Sequence, residues 1–363
     1  MPGLFDASII KNMELKNRFV RSATNIATNE KGNCTPHIVD RLEELARGGV
    51  GLIITGHTYV CKAGQASPTQ MGCHDDGLVP GLTRLTFAVH NAGAKVALQL
   101  AHAGILAHGV TDGNEAIGPS PLQAKDGTVG RAMTQDEIDE TVLAFAQAAS
   151  RAVKAGFDAV QIHSAHGYAL GQFLSPFFNK RTDDYGGTLA NRARLLLRVV
   201  AAVREVVGED YPLLVKLNSE DLLDGGLTMD EAVEVCEMLQ TGGTDAIELS
   251  GGTTYAISIG QVENSWAPTK KKSVYWQKAA ELYKAKVNVP LMLVGGIRSF
   301  ETATELVEEG IADYVSLCRP FIREPGLVNR WKSGDLRKAA CVSDNLCGYE
   351  SMKGKGLHCV HLK

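Results

Sequence analysis

The 363-residue chain carries a formal net charge of −4, with 44% hydrophobic and 21% charged residues, a balance that fits a folded protein with a large core and carries no disorder signature. Its Lys and Arg residues are scattered, which argues against a nucleic-acid partner. No run approaches eighteen consecutive apolar residues and the N-terminus lacks a signal-peptide core, so a cytoplasmic protein without membrane contact is expected.

In chain order, short aliphatic runs alternate with segments of helical period. FVRSAT (19–24) precedes a helix predicted near 36–48. VGLIITGH (50–57) precedes one near 78–92. KVALQLAH (95–102) leads through a long loop to a helix capped by Thr134, with Glu137 completing a capping box. AVQIHSA (159–165) precedes a helix near 188–207, and LLVKLN (213–218) one from Met229. AIELSG (246–251) leads to one near 273–285, PLMLVGG (290–296) to one from 299, and YVSLCR (314–319) to a short final helix. The strands are nearly continuous apolar runs, as parallel strands covered on both faces must be. Eight such units predict a closed (β/α)8 TIM barrel, an α/β fold, spanning 1–335, with a short cysteine-containing extension over 336–363.

Functional groups in such barrels stand at the C-terminal ends of strands. The polar residues at that address are Asn25, His57, Gln99 with His102, His163 with His166, Lys216 with Asn218, Gly251 with Gly252, Gly295 with Gly296, and Arg319. After strands seven and eight, Gly295, Gly296 and Arg319, with the Cys318 backbone, have the chemistry of a phosphate site: open N–H groups and a bidentate cation.

QIHSAHGYALGQFLS (161–175) sets His163 and His166 three residues apart, with Tyr168 two further on. Taken alone, this stretch admits a metal site, an anion-binding or acid–base cluster, or histidines that satisfy a core. A metal would need a third ligand such as His57, His102 or Glu248. Lys216 beside a phosphate site also admits a Schiff-base aldolase, provided burial or a nearby cation lowers its pKa.

LKNRFVRSAT, GLIITG, LQLAHAG, IHSAHGYALGQFLSPFFNKRTDDYGG and the pair VGGIRS and ADYVSLCRPFIREP together resemble the old yellow enzyme family of NADH:flavin oxidoreductases, from about residue 4 to 335. The resemblance implies a non-covalent FMN across the barrel mouth, reduced by NADH or NADPH. Ala23, Thr24 and Asn25 would line its edge, His57 would touch it or narrow the pocket, and Gln99 would bond the pyrimidine side. Lys216 would stand where the family often has an arginine, keeping the charge without the planar fork. An α,β-unsaturated carbonyl compound would receive hydride at its β-carbon while His163 and His166 hold its oxygen and Tyr168 protonates its α-carbon. A flavin-binding barrel without catalysis is the remaining alternative.

Asn25, His57 and Ile105 depart from the family pattern. Ile105 replaces an arginine that can reach a neighbouring subunit, which leaves the geometry of any homo-oligomer open. Cys341, Asp344, Cys347 and Cys359 keep the spacing of an iron–sulfur motif found in larger relatives that resemble dienoyl-CoA reductase and trimethylamine dehydrogenase. With aspartate in the second place, the expectation is a degenerate motif in which a cluster is not favoured.

Overall fold

In a computed structural model of the chain, the described residues are 2–26, 31–107, 115–124, 127–259, 261, 274–351 and 356–362. Eight strands run β1 (Phe19–Arg21), β2 (Leu52–Ile54), β3 (Lys95–Ala101), β4 (Ala159–Ser164), β5 (Leu213–Asn218), β6 (Ala246–Ser250), β7 (Leu291–Val294) and β8 (Tyr314–Leu317). Each pairs in parallel with its chain neighbour, and Val315 of β8 lies opposite Phe19 of β1, closing the ring. The outer layer holds α1 (Pro36–Arg47), α2 (Val79–Asn91), α3 (Gln135–Lys154), α4 (Leu189–Val207), α5 (Met229–Thr241), α6 (Gln277–Lys286), α7 (Phe300–Glu308) and α8 (Leu327–Lys332). This is the expected (β/α)8 barrel, followed by an extension that includes a short helix at Leu346–Glu350.

Strand alternation sorts the side chains into two cores. Phe19, Ile53, Leu98, Ile162, Val215, Ile247, Leu293 and Val315 point outward into the helical layer. Val20, Leu52, Ala97, Ala159, Leu214, Ala246, Met292 and Tyr314 point inward and fill the lower barrel. An N-terminal hairpin, Ser8–Ile10 paired with Met13–Leu15, adds Ile10, Met13 and Leu15 to this inner cluster and so plugs the bottom. Its strands of three residues are too short for a periodicity signal, and the sequence reading does not include it.

The helix starts follow their caps. Thr134 and Glu137 form the expected capping box, Thr228 and Glu231 form a second, and Ser299 caps α7. Residue 273, the expected start of the sixth helix, lies outside the described residues. The second strand is shorter than its apolar run because the chain bends at Gly56, where a Cβ would meet Thr24 O at 2.7 Å. Thr58–Tyr59 then pairs with the end of β3. After β8, the expected single helix is two: Arg319–Arg323, then α8.

The RTDDYGG segment, so prominent in the sequence, is a brace. Arg181 donates to Met133 O at 2.8 Å and pairs with Asp183, while Asn179 Nδ2 donates to Phe173 O and Tyr185 O, both at 2.7 Å. A Cβ on Gly186 would lie 2.0 Å from Arg181 O, so only glycine closes this turn. The brace anchors the connection after β4, which carries the site.

Candidate active site

Above the apolar inner layer, the barrel interior turns polar. Gln99 donates to Gln161 Oε1 at 2.7 Å, and Gln161 donates to Glu248 Oε2 at 3.0 Å. Lys216 Nζ lies 3.0 Å from Glu248 Oε2 and donates to Ser22 at 2.8 Å, while Ser316 donates to Glu248 Oε1 at 2.6 Å. Glu248 is fully buried; burial opposes its ionisation, but Lys216 and the bonds from Ser316, Ser22 and Lys216 hold its carboxyl below the usual range. The ion pair engages the amine that a Schiff base would need free, so this geometry speaks against the aldolase reading.

One layer higher, β4 ends in the two histidines and the tyrosine. His163 Nδ1 accepts from Ala165 N at 3.3 Å, which leaves the ring proton on Nε2. His166 has a left-handed backbone (φ 60), a strained setting for a non-glycine residue, held by its N–H bond to Asn218 Oδ1 at 3.1 Å. Its Nε2 lies 2.8 Å from Ser250 Oγ. Asn218 is fixed in turn by donating to Asp221 at 2.9 Å and Gly252 O at 3.1 Å.

The rings converge. Centroids lie 5.2 Å apart for His163 and His166, 5.0 Å for His163 and Tyr168, and 5.3 Å for His57 and Tyr168. Burial, reinforced by the neighbouring charges, takes His163 and His166 well below the ordinary histidine range, and burial takes His57 to about 4. All three are therefore neutral donors at pH 7. Burial raises Tyr168 to about 12, so its phenol is protonated.

Other residues singled out from the sequence line the same mouth. Ala23, Thr24 and Asn25 are half-buried after β1, and Thr24 Oγ1 lies 2.9 Å from Cys318 Sγ, which brings the side chain of Cys318 into contact as well as its backbone. Gly295 (φ +119) and Gly296 (φ +82) end β7 in conformations suited to glycine, and a Cβ on Gly295 would press on Trp276 at 3.1 Å. The Arg319 guanidinium reaches the C-terminal extension, donating to Asn345 Oδ1 at 2.7 Å. Ile105 is buried within its own chain beside Leu122, Phe178 and Tyr255.

In the extension, Cys341, Cys347 and Cys359 line one cavity with Arg319, Asp344 and His361. Asp344 is taken up by His361 Nε2 at 2.6 Å. Among the described residues no group of three or more His, Cys, Asp or Glu could hold a metal ion, either here or at His163 and His166. Among the described residues, the three cysteines therefore do not make the metal-binding group that an iron–sulfur-type tail would need.

The donor set suits FMN. The two glycines after β7 take backbone conformations suited to glycine, Arg21 Nε and His102 Nε2 are buried without a partner, and Lys216 sets a cation in the polar layer.

Residues 3–337 match the NADH:flavin oxidoreductase / NADH oxidase family, and the chain belongs to it. It is 36% identical to an NADH oxidase of Thermoanaerobacter brockii over 95% of this chain and 53% of that protein. It is also 36% identical to an NADPH dehydrogenase of Halalkalibacterium halodurans, over 89% and 91%. Among solved structures, 2-naphthoyl-CoA reductase in complex with 2-naphthoyl-CoA superposes with a TM-score of 0.90 at 29% identity, over 98% of this chain and 56% of that one. The chain thus spans about half the length of the first and last of these relatives. Among the described residues no helix is long and apolar enough to cross a membrane.

Gln70, Gln161 and Arg21 are not among the sequence-predicted site residues, and Glu248 is among them only as a metal ligand. For Gln161 and Glu248 a signal was present: each lies two residues before an inward strand-end residue, His163 and Ser250, and so shares its face. For Gln70 there was none.

Proposed function

We propose that this protein is an FMN-dependent, NAD(P)H-consuming oxidoreductase that reduces the activated C=C bond of an α,β-unsaturated carbonyl compound. The observation that carries the reading is the convergence of His163, His166 and Tyr168 above the Lys216–Glu248 layer. Gly295, Gly296 and Arg319 would hold the FMN phosphate. Ala23, Thr24, Asn25, His57, Gln99, Lys216 and Cys318 would surround its ring. When bound, FMN supplies a two-electron hydride carrier.

The chain's own residues do the rest. His163 donates its Nε2–H to the substrate oxygen, and His166, braced by Ser250, completes the pair. Neutral donors fixed in advance stabilise the enolate oxygen as charge develops, each by roughly 3–4 kcal/mol. Tyr168 gives its phenolic proton to the α-carbon. The names of the relatives, an NADH oxidase and an NADPH dehydrogenase, support a nicotinamide reductant.

The test is spectroscopic. Purified protein should be yellow, release FMN on denaturation, bleach anaerobically with NADH or NADPH, and regain colour with an enone such as cyclohexenone. Colourless protein that borohydride traps with a carbonyl compound would support the aldolase instead. Yellow protein that no nicotinamide bleaches would indicate a barrel that binds flavin without catalysis.

A further inference from the structure

Tyr168 is not alone at the end of its hydrogen-bond chain. Its Oη lies 3.3 Å from His57 Nε2, and His57 Nδ1 lies 2.6 Å from Gln70 Nε2. The direction of this chain is set at its far end. Backbone N–H of Ala66 donates to Gln70 Oε1 at 2.6 Å, so the amide oxygen is committed as acceptor. The amide nitrogen must then donate, and it does so both to His57 Nδ1 and to His57 O at 3.2 Å. An imidazole that accepts at Nδ1 carries its proton on Nε2, which therefore donates to Tyr168. Gln70 is fully buried, so water does not compete for the arrangement.

We propose that His57 is a positioning residue for the acid step: locked by Gln70 as the Nε2–H tautomer, it donates to Tyr168 Oη and stabilises the phenolate left when the proton departs. The inference rests on the acid role proposed for Tyr168. In that step the Oη–H bond breaks, the electron pair of the enolate forms the new C–H bond at the α-carbon, and the negative charge passes to Oη. A donor already in place meets that charge, and solvent water later returns the proton. His163 is the other titratable ring facing Tyr168, and the formal charge acting on His163 and His166 is Lys216, which Glu248 pairs. Sequence position alone gives no hint of this, because His57 and Gln70 lie thirteen residues apart on the connection after β2, whereas Tyr168 lies on the connection after β4.

The experiment places a fluorinated tyrosine at position 168, whose phenol ionises near neutral pH, and follows phenolate absorbance in the intact holoprotein. His57→Phe keeps a ring but loses the donor, and should raise the titration midpoint by about one unit, the effect of a hydrogen bond to a charged group. His57→Gln, which can still present an amide N–H, should restore most of that shift. Gln70→Met should give an intermediate rise. An unchanged midpoint in His57→Phe, or a His57→Gln midpoint equal to that of His57→Phe, overturns the proposal. Because the readout is an ionisation and not turnover, it stands or falls apart from the enone-reductase reading, which the colour test decides.

Discussion

The two halves of the barrel interior solve opposite problems. The lower half is sealed by Ile10, Met13 and Leu15 over Val20, Leu52, Ala97, Ala159, Leu214, Ala246, Met292 and Tyr314, with apolar contact throughout apart from the tyrosine hydroxyl. The upper half, two residues further along the same strands, contains Gln99, Gln161, Lys216, Glu248 and Ser316 joined by direct hydrogen bonds. The lower layer contributes stability through burial, roughly 1.5–3 kcal/mol for each fully buried large side chain. The upper layer gives up part of that gain to hold a buried cation and a row of oriented amides beneath the histidines. Stability and chemistry are thus separated along the barrel axis by one strand repeat.

The sharpest way to break this division is to unpair the upper layer. Glu248→Ala leaves Lys216 buried without its carboxylate and should cost about 3–5 kcal/mol in urea unfolding. Should the variant unfold like the parent, the ion pair is not what holds the upper half. In the plug, Leu15→Ala should cost roughly 2–5 kcal/mol and yet leave the flavin spectrum of the folded protein unaltered. A changed spectrum would mean the halves are coupled.

Tyr168→Phe should have the reverse signature. Unfolding should move little, while stopped-flow reoxidation by an enone slows by about 10²-fold or more. Proton linkage sharpens the contrast in another way. Burial depresses His57 and His102 to about 4 in the folded protein, against the usual 6.5 of an unfolded chain. Between these values the unfolded chain binds more protons, so their contribution is complete above about pH 6.5 and is lost as pH falls towards about 4. His57→Phe should remove about one proton from the slope of stability against pH in that window, whereas Leu15→Ala should leave the slope as it was. The smallest effect is expected away from both halves. Thr134→Ala breaks the α3 capping box and should cost about 1 kcal/mol by thermal unfolding, with no change in reoxidation rate.

Legibility followed the range of the interaction. The capping box at Thr134, the starts at Met229 and Ser299 and the run of strands were open to reading because their signals repeat within one element. The histidine pair and Tyr168 were legible as a strand-end motif, and their convergence follows from a three-residue connection. RTDDYGG was equally visible, but only the contacts of Arg181 and Asn179 reveal it as a brace. The N-terminal hairpin was hidden because three residues are too few to establish a period. Arg319 was read as a phosphate ligand from its place after β8, and nothing local announced its bond to Asn345.

Sequence by itself therefore determined the eight strand–helix units, their parallel order and the rim on which polar residues gather, since periodicity and capping act over a few residues. Tertiary structure alone decided that Glu248 meets Lys216, that Gln161 links Gln99 to Glu248, and that Gln70 sets the tautomer of the histidine facing Tyr168. Apart from that of Gln70 with His57, which share the connection after β2, those contacts join groups on different strands and connections, and they exist because closing the ring turns one inward face of each strand towards all the others.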